Sequence, residues 1–470
     1  MSLDLQQAAR QHLWLHFTRM GAYGEAEVPI IVRGEGCYLE DANGKRYLDA
    51  LAGLFAVQVG YSYGTEMGRA ALEQMEELPF YTNWSYAHPR AIELAHEVAS
   101  VAPGDLNRVF FVSGGSEAVE SAWKLARQYH AARGERRWKA IARRTAYHGT
   151  TMGALSINGI PALKNAFEPL VPDTLHVRNT NRYHRPPDET EAEFTAFLLD
   201  DLEQTILAAG PDTVAMVIME PVQNAGGAFT PPAGYFAGVR ELCDRYGILL
   251  CADEVITGFG RLGEWFGSTL YDIRPDLVTS AKGLSSAYAA IGAVIATDRV
   301  FEPFLGEQAM YAHGITFGGH PVQCAIALKN IEIMKRERML ENVRENESYF
   351  RGSLEQLLEL DIVGDVRGTG YFYALELVKD KETRETFDDS DSETLLRGFL
   401  SPRLFESGLI CRADDRGDPV VQISPPLVAG RAEIDELVGI LGDVLGEAQD
   451  RMHVRHVESA TTRTPGQRIP

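Results

Sequence analysis

The chain has 470 residues, of which 45% are hydrophobic, so it is long enough for a large core and more than one domain. It carries 66 acidic and 45 basic residues, a formal net charge of -21. This balance disfavours nucleic acid and anionic membranes as partners, because both require a basic face, although one local cationic pocket can still bind a small anion.

The cysteines and the N-terminus indicate a reducing compartment. The five cysteines are scattered, with no C-x-x-C spacing, which favours reduced thiols: Cys37, Cys243, Cys251, Cys324 and Cys411. Residues 1–10 lack the apolar run of a signal peptide, and no charge-free stretch reaches the length of a membrane span. We therefore expect a cytoplasmic protein.

The element pattern changes along the chain. Short strands are predicted at 29–33 and 36–40, with a hairpin turn at Asn43-Gly44. From about residue 66, apolar strands alternate with amphipathic helices: strands at 108–112, 213–218 and 248–252, and helices at 91–101, 118–132 and 234–246. Continuous apolar strands between helices predict a mostly parallel sheet that is covered on both faces.

The same pattern predicts the domain organisation. A large domain of residues 66–329 would carry this sheet. A smaller domain would combine residues 1–65 with 330–457, where 363–377 is the clearest β region. Residues 458–470 are polar, free of aromatic residues and marked by Pro and Gly, and they are predicted to be a mobile tail.

Lys282 is a candidate reactive amine. It is the only charged residue between Asp276 and Asp298. Removal from water would lower the pKa of this lysine and expose its amine as a nucleophile. A lysine that reaches the surface from a strand end explains the segment equally well.

Asp253 follows the predicted strand 248–252, at the edge where open α/β sheets bind ligands. A buried carboxylate needs a partner, and the ring nitrogen of a pyridine cofactor would supply one. A helix cap or an ion pair with Arg261 is the alternative.

The segment Ser-Gly-Gly-Ser-Glu-Ala at 113–118 lies between a predicted strand and a predicted helix. Gly115 allows the backbone to approach an anion, the helix start favours phosphate, and Ser116 can add a hydroxyl. An ordinary serine N-cap is the alternative. Tyr147, in Tyr-His-Gly, could stack on a planar cofactor, although core packing explains it as well.

Taken in order, these motifs resemble the class III (ω-amino acid) aminotransferases, which are fold-type I pyridoxal-phosphate enzymes. The further matching motifs are Glu-Pro at 220, Asp-Glu-Val at 253, Ala-Lys-Gly at 281 and Thr-Phe-Gly-Gly-His-Pro at 316. The resemblance extends from about residue 29 to 445. It implies an α/β fold with a large, mostly parallel sheet domain and a smaller α+β domain, pyridoxal 5'-phosphate as the cofactor, and a homodimer with a shared active site.

The resemblance also implies residue roles. Lys282 would bind the cofactor covalently, Asp253 would pair with its ring nitrogen, and Val255 and Tyr147 would pack on opposite ring faces. Gly115 and Ser116 would hold the phosphate, Thr316 would reach the phosphate of the neighbouring subunit, and Glu220 would be a further acid of the site. Two positions depart from the family pattern without touching the chemistry: Gly114, where many relatives have serine, and Ala290, where relatives often have proline.

The substrate class is suggested by Arg412, which resembles the family's mobile arginine that binds substrate carboxylates. A surface arginine near Asp414 and Asp415 is the alternative. Ornithine and γ-aminobutyrate aminotransferases carry a glutamate where this chain has Ala225, which disfavours those two activities. The aromatic residues Phe17, Phe55 and Trp84 resemble the pocket of the amine:pyruvate branch, which makes an ω-transaminase acting with pyruvate or a similar keto acid the expected activity.

Other functions remain open from the sequence. An aminomutase or a decarboxylating aminotransferase would use the same cofactor residues. The segment 258–263 fits the G-x-G-x-x-G pattern of a nicotinamide oxidoreductase, but no clear βαβ unit follows it. A non-catalytic binding protein is a third possibility. No metal is expected, because His453 and His456 lie in the C-terminal tail and no His, Asp or Glu cluster elsewhere has ligand spacing.

Overall fold

The computed structural model describes residues 3–24, 26–414 and 416–461, with the backbone alone over 453–461. Its strands are β1 (Ile31–Glu35), β2 (Tyr38–Asp41), β3 (Arg46–Asp49), β4 (Leu106–Val112), β5 (Lys139–Arg143), β6 (Thr174–Val177), β7 (Val214–Met219), β8 (Leu249–Asp253), β9 (Leu277–Ser280), β10 (Gly292–Thr297), β11 (Val363–Thr369), β12 (Phe372–Leu377), β13 (Leu409–Ile410), β14 (Arg412–Asp414) and β15 (Val420–Ile423).

The α-helices are α1 (Leu5–His12), α2 (Ala52–Phe55), α3 (Gly64–Glu77), α4 (Pro89–Val101), α5 (Gly115–Ala132), α6 (Met152–Ile157), α7 (Pro161–Lys164), α8 (Glu191–Ala209), α9 (Tyr235–Tyr246), α10 (Gly267–Leu270), α11 (Asp298–Phe301), α12 (Pro321–Arg336), α13 (Met339–Glu355), α14 (Asp389–Leu395), α15 (Ser401–Glu406) and α16 (Arg431–Thr461). Short 3₁₀ helices span Met20–Tyr23, Pro211–Thr213, Lys282–Leu284, Glu302–Phe304 and Gln356–Glu359, and a π-helical turn spans Leu396–Leu400.

The largest sheet in the described part of the chain has seven strands in the order β4-β10-β9-β8-β7-β5-β6. β10 runs antiparallel to β4 and β9, and the pairs from β9 to β6 are all parallel. The expectation of a mostly parallel sheet is confirmed. Two four-stranded sheets, β1-β2-β3-β13 and β11-β12-β15-β14, complete the β structure of the described residues.

Helices cover both faces of the seven-stranded sheet. On one face, Ala118, Ala122 and Ala126 of α5 pack with Ile218 of β7. On the other face, residues of α8 and α9 pack with Val217, the neighbour of Ile218. Because successive strand side chains point to opposite faces, β7 is apolar and buried throughout.

The sheet brings distant loops to one edge. β4, β5, β8 and β9 run in the same direction, so the segments after their carboxyl ends lie side by side. These are the segments that carry Gly115, Tyr147, Asp253 and Lys282. Ligands bind at this edge in open α/β sheets.

Several predicted helices and strands have nearly the bounds that the structure shows, and others are longer in the structure than predicted. The predicted helix 118–132 begins earlier, at Gly115, and the region 363–377 is the hairpin of β11 and β12. The strands of the seven-stranded sheet fall within the predicted segment 66–329, but the domain boundaries stay a prediction.

The C-terminal part of the chain forms a long helix. α16 continues to Thr461, into the predicted tail 458–470, and residues 462–470 lie outside the described residues, as do the side chains of His453 and His456. No helix within the described ranges combines the length and apolar character needed to cross a bilayer.

Candidate active site

Asp253 ends β8 and is buried, with 4% of its surface exposed. Its Oδ2 lies 2.6 Å from His148 Nδ1, while its Oδ1 accepts hydrogen bonds from Thr279 Oγ1 at 3.0 Å and from the Val255 N–H at 3.2 Å. These three contacts fix the carboxylate at the edge of the sheet and supply the partners that a buried charge needs.

The ion pair between Asp253 and Arg261 that the sequence left open is not formed. Arg261 is fully buried and donates to the carbonyl oxygens of Pro425 and Tyr371 and to Gln58 Oε1. Burial lowers the pKa of Arg261 to about 9. Arg261 therefore ties the loop after β8 to the chain near residue 425.

Lys282 follows β9 and begins a single 3₁₀ turn. Its φ of 41° is in the left-handed region, where a non-glycine residue is strained, and such strain is found at functional sites. Burial lowers the pKa of Lys282 to about 8; the Asp253 carboxylate opposes this change, and the positive charge of Arg412 adds to it. Of the two alternatives, a desolvated lysine therefore fits the structure better than a lysine that reaches the surface.

Lys282 and Asp253 open into the same cavity, of about 180 Å³. The predicted site residues that line this cavity are Gly115, Ser116, Tyr147, Glu220, Asp253, Val255 and Lys282. Larger clefts lie elsewhere on the chain, such as one of about 540 Å³ beside Arg182 and Arg367, but Lys282 does not line that cleft.

The first turn of α5 borders one end of the cavity, and this end suits an anion. The helix is capped by Gly114 without a side-chain hydrogen bond, and the Ser116 hydroxyl instead accepts from the Thr150 N–H at 3.1 Å. Ser116 is therefore not the N-cap, and no side-chain cap competes with an anion for the start of this helix. Gly149 is needed here, because a Cβ on it would lie 2.3 Å from Ser116 Oγ.

The walls of the cavity fit a flat, phosphorylated ring. A Cβ on Gly115 would lie 3.0 Å from Val255 Cγ1, so the slot beside Val255 is narrow. The buried atoms His148 Nε2 and Glu220 Oε2 have no hydrogen-bond partner among the described residues. Burial raises the pKa of Glu220, whose Oε1 accepts from the Asn224 N–H at 3.2 Å.

The predicted substrate aromatics lie in different surroundings. Phe55 is buried and packs edge-on against Phe372, with the Lys282 Nζ 5.6 Å from its ring centroid. Its neighbour Leu54 lines the cavity and is 56% exposed. Phe17 is exposed and lies beside the Arg416 guanidinium.

Trp84 and Thr316 lie away from the cavity lining within this chain. Trp84 is 59% exposed and sits against Gly314, two residues before the exposed Thr316. The structure thus brings Trp84 close to the segment of Thr316, but it does not bring either residue to Lys282 within one chain.

The sequence reasoning did not single out several residues of the site, among them His148 and Leu54 in the cavity lining and Arg416 beside Tyr147. His148 belongs to the Tyr-His-Gly motif, but its partner Asp253 is 105 residues away. Arg416 lies over the Tyr147 ring, with 5.2 Å from its Cζ to the ring centroid. No local sequence signal gives these contacts, because they exist only once the strands are paired.

The described residues also contain a grouping with metal-ligand atoms, formed by His184, Glu376 and Asp418. His184 contacts both carboxylates, and their hydrogen bonds, that of Asp418 first, raise the pKa of His184 to about 10. Arg367 also donates to Glu376. The side chains of His184 and Arg367 therefore lie against these acids and can balance their charge.

Three features meet at one edge of the mostly parallel sheet: a buried lysine amine, a fixed carboxylate and a helix N-terminus that suits a phosphate. Together they define a class, the fold-type I pyridoxal-phosphate enzymes. The sequence profile of the family described as "Aminotransferase class-III" matches residues 21–445, and the chain belongs to this family. The cofactor of this family is pyridoxal 5'-phosphate. The enzyme is an aminotransferase, and the nicotinamide oxidoreductase and the non-catalytic binding protein are excluded.

Similar proteins cover almost the whole chain. A probable aminotransferase of Mycobacterium tuberculosis is 52% identical over 445 residues, 94% of this chain and 95% of that protein. A putrescine–pyruvate aminotransferase of Pseudomonas aeruginosa is 41% identical over 438 residues, 93% of this chain and 94% of that protein. A probable γ-aminobutyrate transaminase of rice is 38% identical over 433 residues, 90% of this chain and 83% of that protein.

The fold is similar to solved transaminases. An (S)-enantioselective ω-transaminase from Thermomicrobium roseum superposes with a TM-score of 0.90 at 39% identity, covering 95% of this chain and 98% of that one. In this chain the segment 258–263 forms turns after β8 and opens no long helix, unlike a dinucleotide-binding motif.

Proposed function

We propose that this aminotransferase is an ω-transaminase of the amine:pyruvate type. It would transfer the amino group of a primary amine or ω-amino acid to pyruvate or a similar keto acid. The proposal is supported by the similarity to a putrescine–pyruvate aminotransferase and by Arg412, whose positive charge adds to the lowering of the Lys282 pKa. A keto acid held by Arg412 would place its reacting carbon near that amine.

The cofactor residues are proposed from the cavity. Lys282 would bind the cofactor aldehyde, and Asp253 would accept a hydrogen bond from its ring nitrogen. Gly115 and Ser116 would hold the phosphate at the start of α5. Tyr147 and Val255 would enclose the ring, and Glu220 would be a further acid of the site.

When bound, pyridoxal phosphate supplies an aldehyde that condenses with amines and a ring that accepts the electron pair left on the substrate carbon. The protein moves the proton. Burial lowers the pKa of Lys282 towards neutral pH, so its Nζ would be suited to take a proton from the substrate carbon and return it. Asp253, held by His148 and Thr279, would keep the ring nitrogen protonated.

A homodimer with a shared active site is part of the proposal. Exposed aromatic residues are grouped near Thr316: Phe80, Tyr81, Trp84, Tyr86 and Phe317. Apolar patches of this kind mark interfaces, and a second copy would cover them and bring Thr316 to its phosphate end. Sedimentation should give a dimer, and Trp84→Glu should shift the population towards monomer with a loss of bound cofactor.

Two further parts of the proposal rest on the sequence. A cytoplasmic location is supported by the five scattered cysteines, whose thiols are all free in the structure. γ-Aminobutyrate is a disfavoured donor, because the fully buried Ala225 occupies the position where that aminotransferase type has a glutamate.

The test is a donor panel with the purified holoenzyme. Aromatic primary amines, putrescine and γ-aminobutyrate are each supplied with pyruvate, and alanine formation is measured. We expect alanine from the amines, and neither alanine nor the cofactor's covalent absorbance with Lys282→Ala. Product formation without any keto acid would instead favour an aminomutase, release of carbon dioxide a decarboxylating enzyme, and full turnover by Lys282→Ala would refute the assignment.

A further inference from the structure

A cleft of about 540 Å³ outside the active-site cavity collects arginine side chains. Its lining comes from the segment after β6, from the loop before α9, and from α13 and β11. The charged residues of the lining are Arg182, Arg185, Glu191, Arg351, Asp365 and Arg367. The chain as a whole has a net charge of -21, so a lining with more cations than acids forms a local site that favours an anion.

Two of these arginines are held in place by the acids of the lining. Arg182 donates hydrogen bonds to Glu191 Oε1 at 2.8 Å and to Thr230 Oγ1 at 2.5 Å. Arg367 donates to Asp365 Oδ2 at 3.1 Å, and its guanidinium Cζ lies 4.8 Å from the centroid of the Phe229 ring. These contacts pair both charges with acids and make Arg182 and Arg367 fixed walls of the cleft.

The other two arginines have donors to spare. The half-buried side chain of Arg185 makes no hydrogen bond and no ion pair with any of the described residues. Arg351 donates to the Gly368 carbonyl oxygen at 2.7 Å, whereas Glu355 Oε1 lies 3.9 Å from its Nη1, beyond hydrogen-bond distance. A guanidinium group has five N–H donors, so Arg185 and Arg351 can both bind an oxyanion without breaking a contact.

The lining also includes hydroxyl groups without partners. Thr180 is 1% exposed, and its Oγ1 has no hydrogen-bond partner among the described residues. The buried Oη atom of Tyr183, which also lines the cleft, has none in the same part of the chain. A buried hydroxyl without a partner is unfavourable, so a bound group that brings acceptor oxygens to this wall would be stabilised.

We propose that this cleft is a second ligand site, which binds a small organic dianion, either a phosphate monoester or a dicarboxylate. Arg185 and Arg351 bind the charged oxygens, and the fixed walls at Arg182 and Arg367 enclose the rest of the ligand. The volume of about 540 Å³ lies within the range of small-molecule sites, so the cleft has room for more than the charged groups. Binding here requires none of the residues that line the cavity of Lys282.

The test is calorimetric titration of the holoenzyme, in which the cofactor already fills its own site. Glycerol 3-phosphate is the probe for phosphate monoesters, and succinate is the probe for dicarboxylates. We expect at least one of the two dianions to bind, and the one that binds more tightly identifies the source of the ligand. Arg185→Gln should weaken that binding about tenfold, because it removes a charged donor, and Arg351→Gln should weaken it to a similar extent.

Arg178→Gln is the matched control, because Arg178 follows the same strand, β6, but stacks on Phe197 and does not line the cleft. This variant should keep the affinity for the dianion within about twofold. The melting temperature of ligand-free Arg185→Gln should be unchanged, since Arg185 makes no side-chain contact with the described residues that folding would lose. Absence of binding by both dianions, or equal affinity in Arg185→Gln and Arg178→Gln, would overturn the site.

Discussion

The amine of Lys282 offers a quantitative test of the site in the protein without cofactor. Burial lowers its pKa from 10.5 to about 8. At about pH 7.5, roughly a quarter of the Lys282 amines are then unprotonated, against about one in a thousand for an ordinary lysine. Only the unprotonated amine attacks an acylating reagent, so this difference decides how much Lys282 is labelled.

Two substitutions should move this pKa in opposite directions. Arg412→Gln removes a positive charge that lowers the pKa of Lys282, so the pKa should rise and the unprotonated fraction should fall. Asp253→Asn removes a negative charge that raises the pKa, so the unprotonated fraction should increase. A change of packing alone would not raise the pKa of Lys282 in one variant and lower it in the other.

The measurement is competitive acetylation. Cofactor-free protein is treated with limiting acetic anhydride across a pH series, together with a lysine peptide as the reference, and the Lys282 peptide is quantified by mass spectrometry. We expect the labelling midpoint of Lys282 near pH 8, well below that of the peptide. A midpoint close to that of the peptide, or shifts of the same sign in both variants, would refute the electrostatic account.

The remaining predictions concern the phosphate turn, the His184 cluster and the cavity wall. Gly149→Ala should weaken cofactor binding about tenfold, because its Cβ would lie 2.3 Å from Ser116 Oγ. Gly114→Ala is the control and should bind the cofactor normally, because nothing lies within 4 Å of a Cβ added at Gly114. Titration of the cofactor-free variants with pyridoxal phosphate measures both affinities. The pKa of His184 is raised to about 10, so the stabilisation by its positive charge is complete below about pH 6.5 and is lost as the pH rises through about 10. Between these two pH values, the melting temperature of the unmodified protein should therefore fall more steeply than that of His184→Gln. Parallel curves of melting temperature against pH would contradict this account. Leu54→Ala should change the range of amines accepted at constant stability, because Leu54 is 56% exposed, whereas Phe55→Ala, at 1% exposure, should cost about 3–5 kcal/mol in urea unfolding; equal losses of stability would show that Leu54 is also a core residue.

The sequence predicts the parts of the site that have local signals. Lys282 is the only charge in a long apolar stretch, and Asp253 ends an apolar strand, so composition and spacing make both candidates, and the family resemblance then implies their roles. The direction of the strands then brings them to one edge of the sheet. The fold class follows from the same alternation of apolar strands and helices.

The sequence cannot give contacts between segments that pair only in the folded chain. The partner of Asp253 is His148, not the nearby Arg261, because Arg261 is drawn into hydrogen bonds with the carbonyls of Tyr371 and Pro425. The turn of α2 likewise decides that Leu54 faces the cavity while Phe55 packs inward. Side-chain direction in an irregular turn has no period from which it could be predicted.

The two charged groups of the site have different surroundings. Asp253 receives hydrogen bonds from Thr279 Oγ1, the Val255 N–H and His148, which supply the partners that a buried charge needs. The Lys282 amine instead faces the cavity, where burial, with the charge of Arg412 adding to it, lowers its pKa to about 8, within reach of neutral pH.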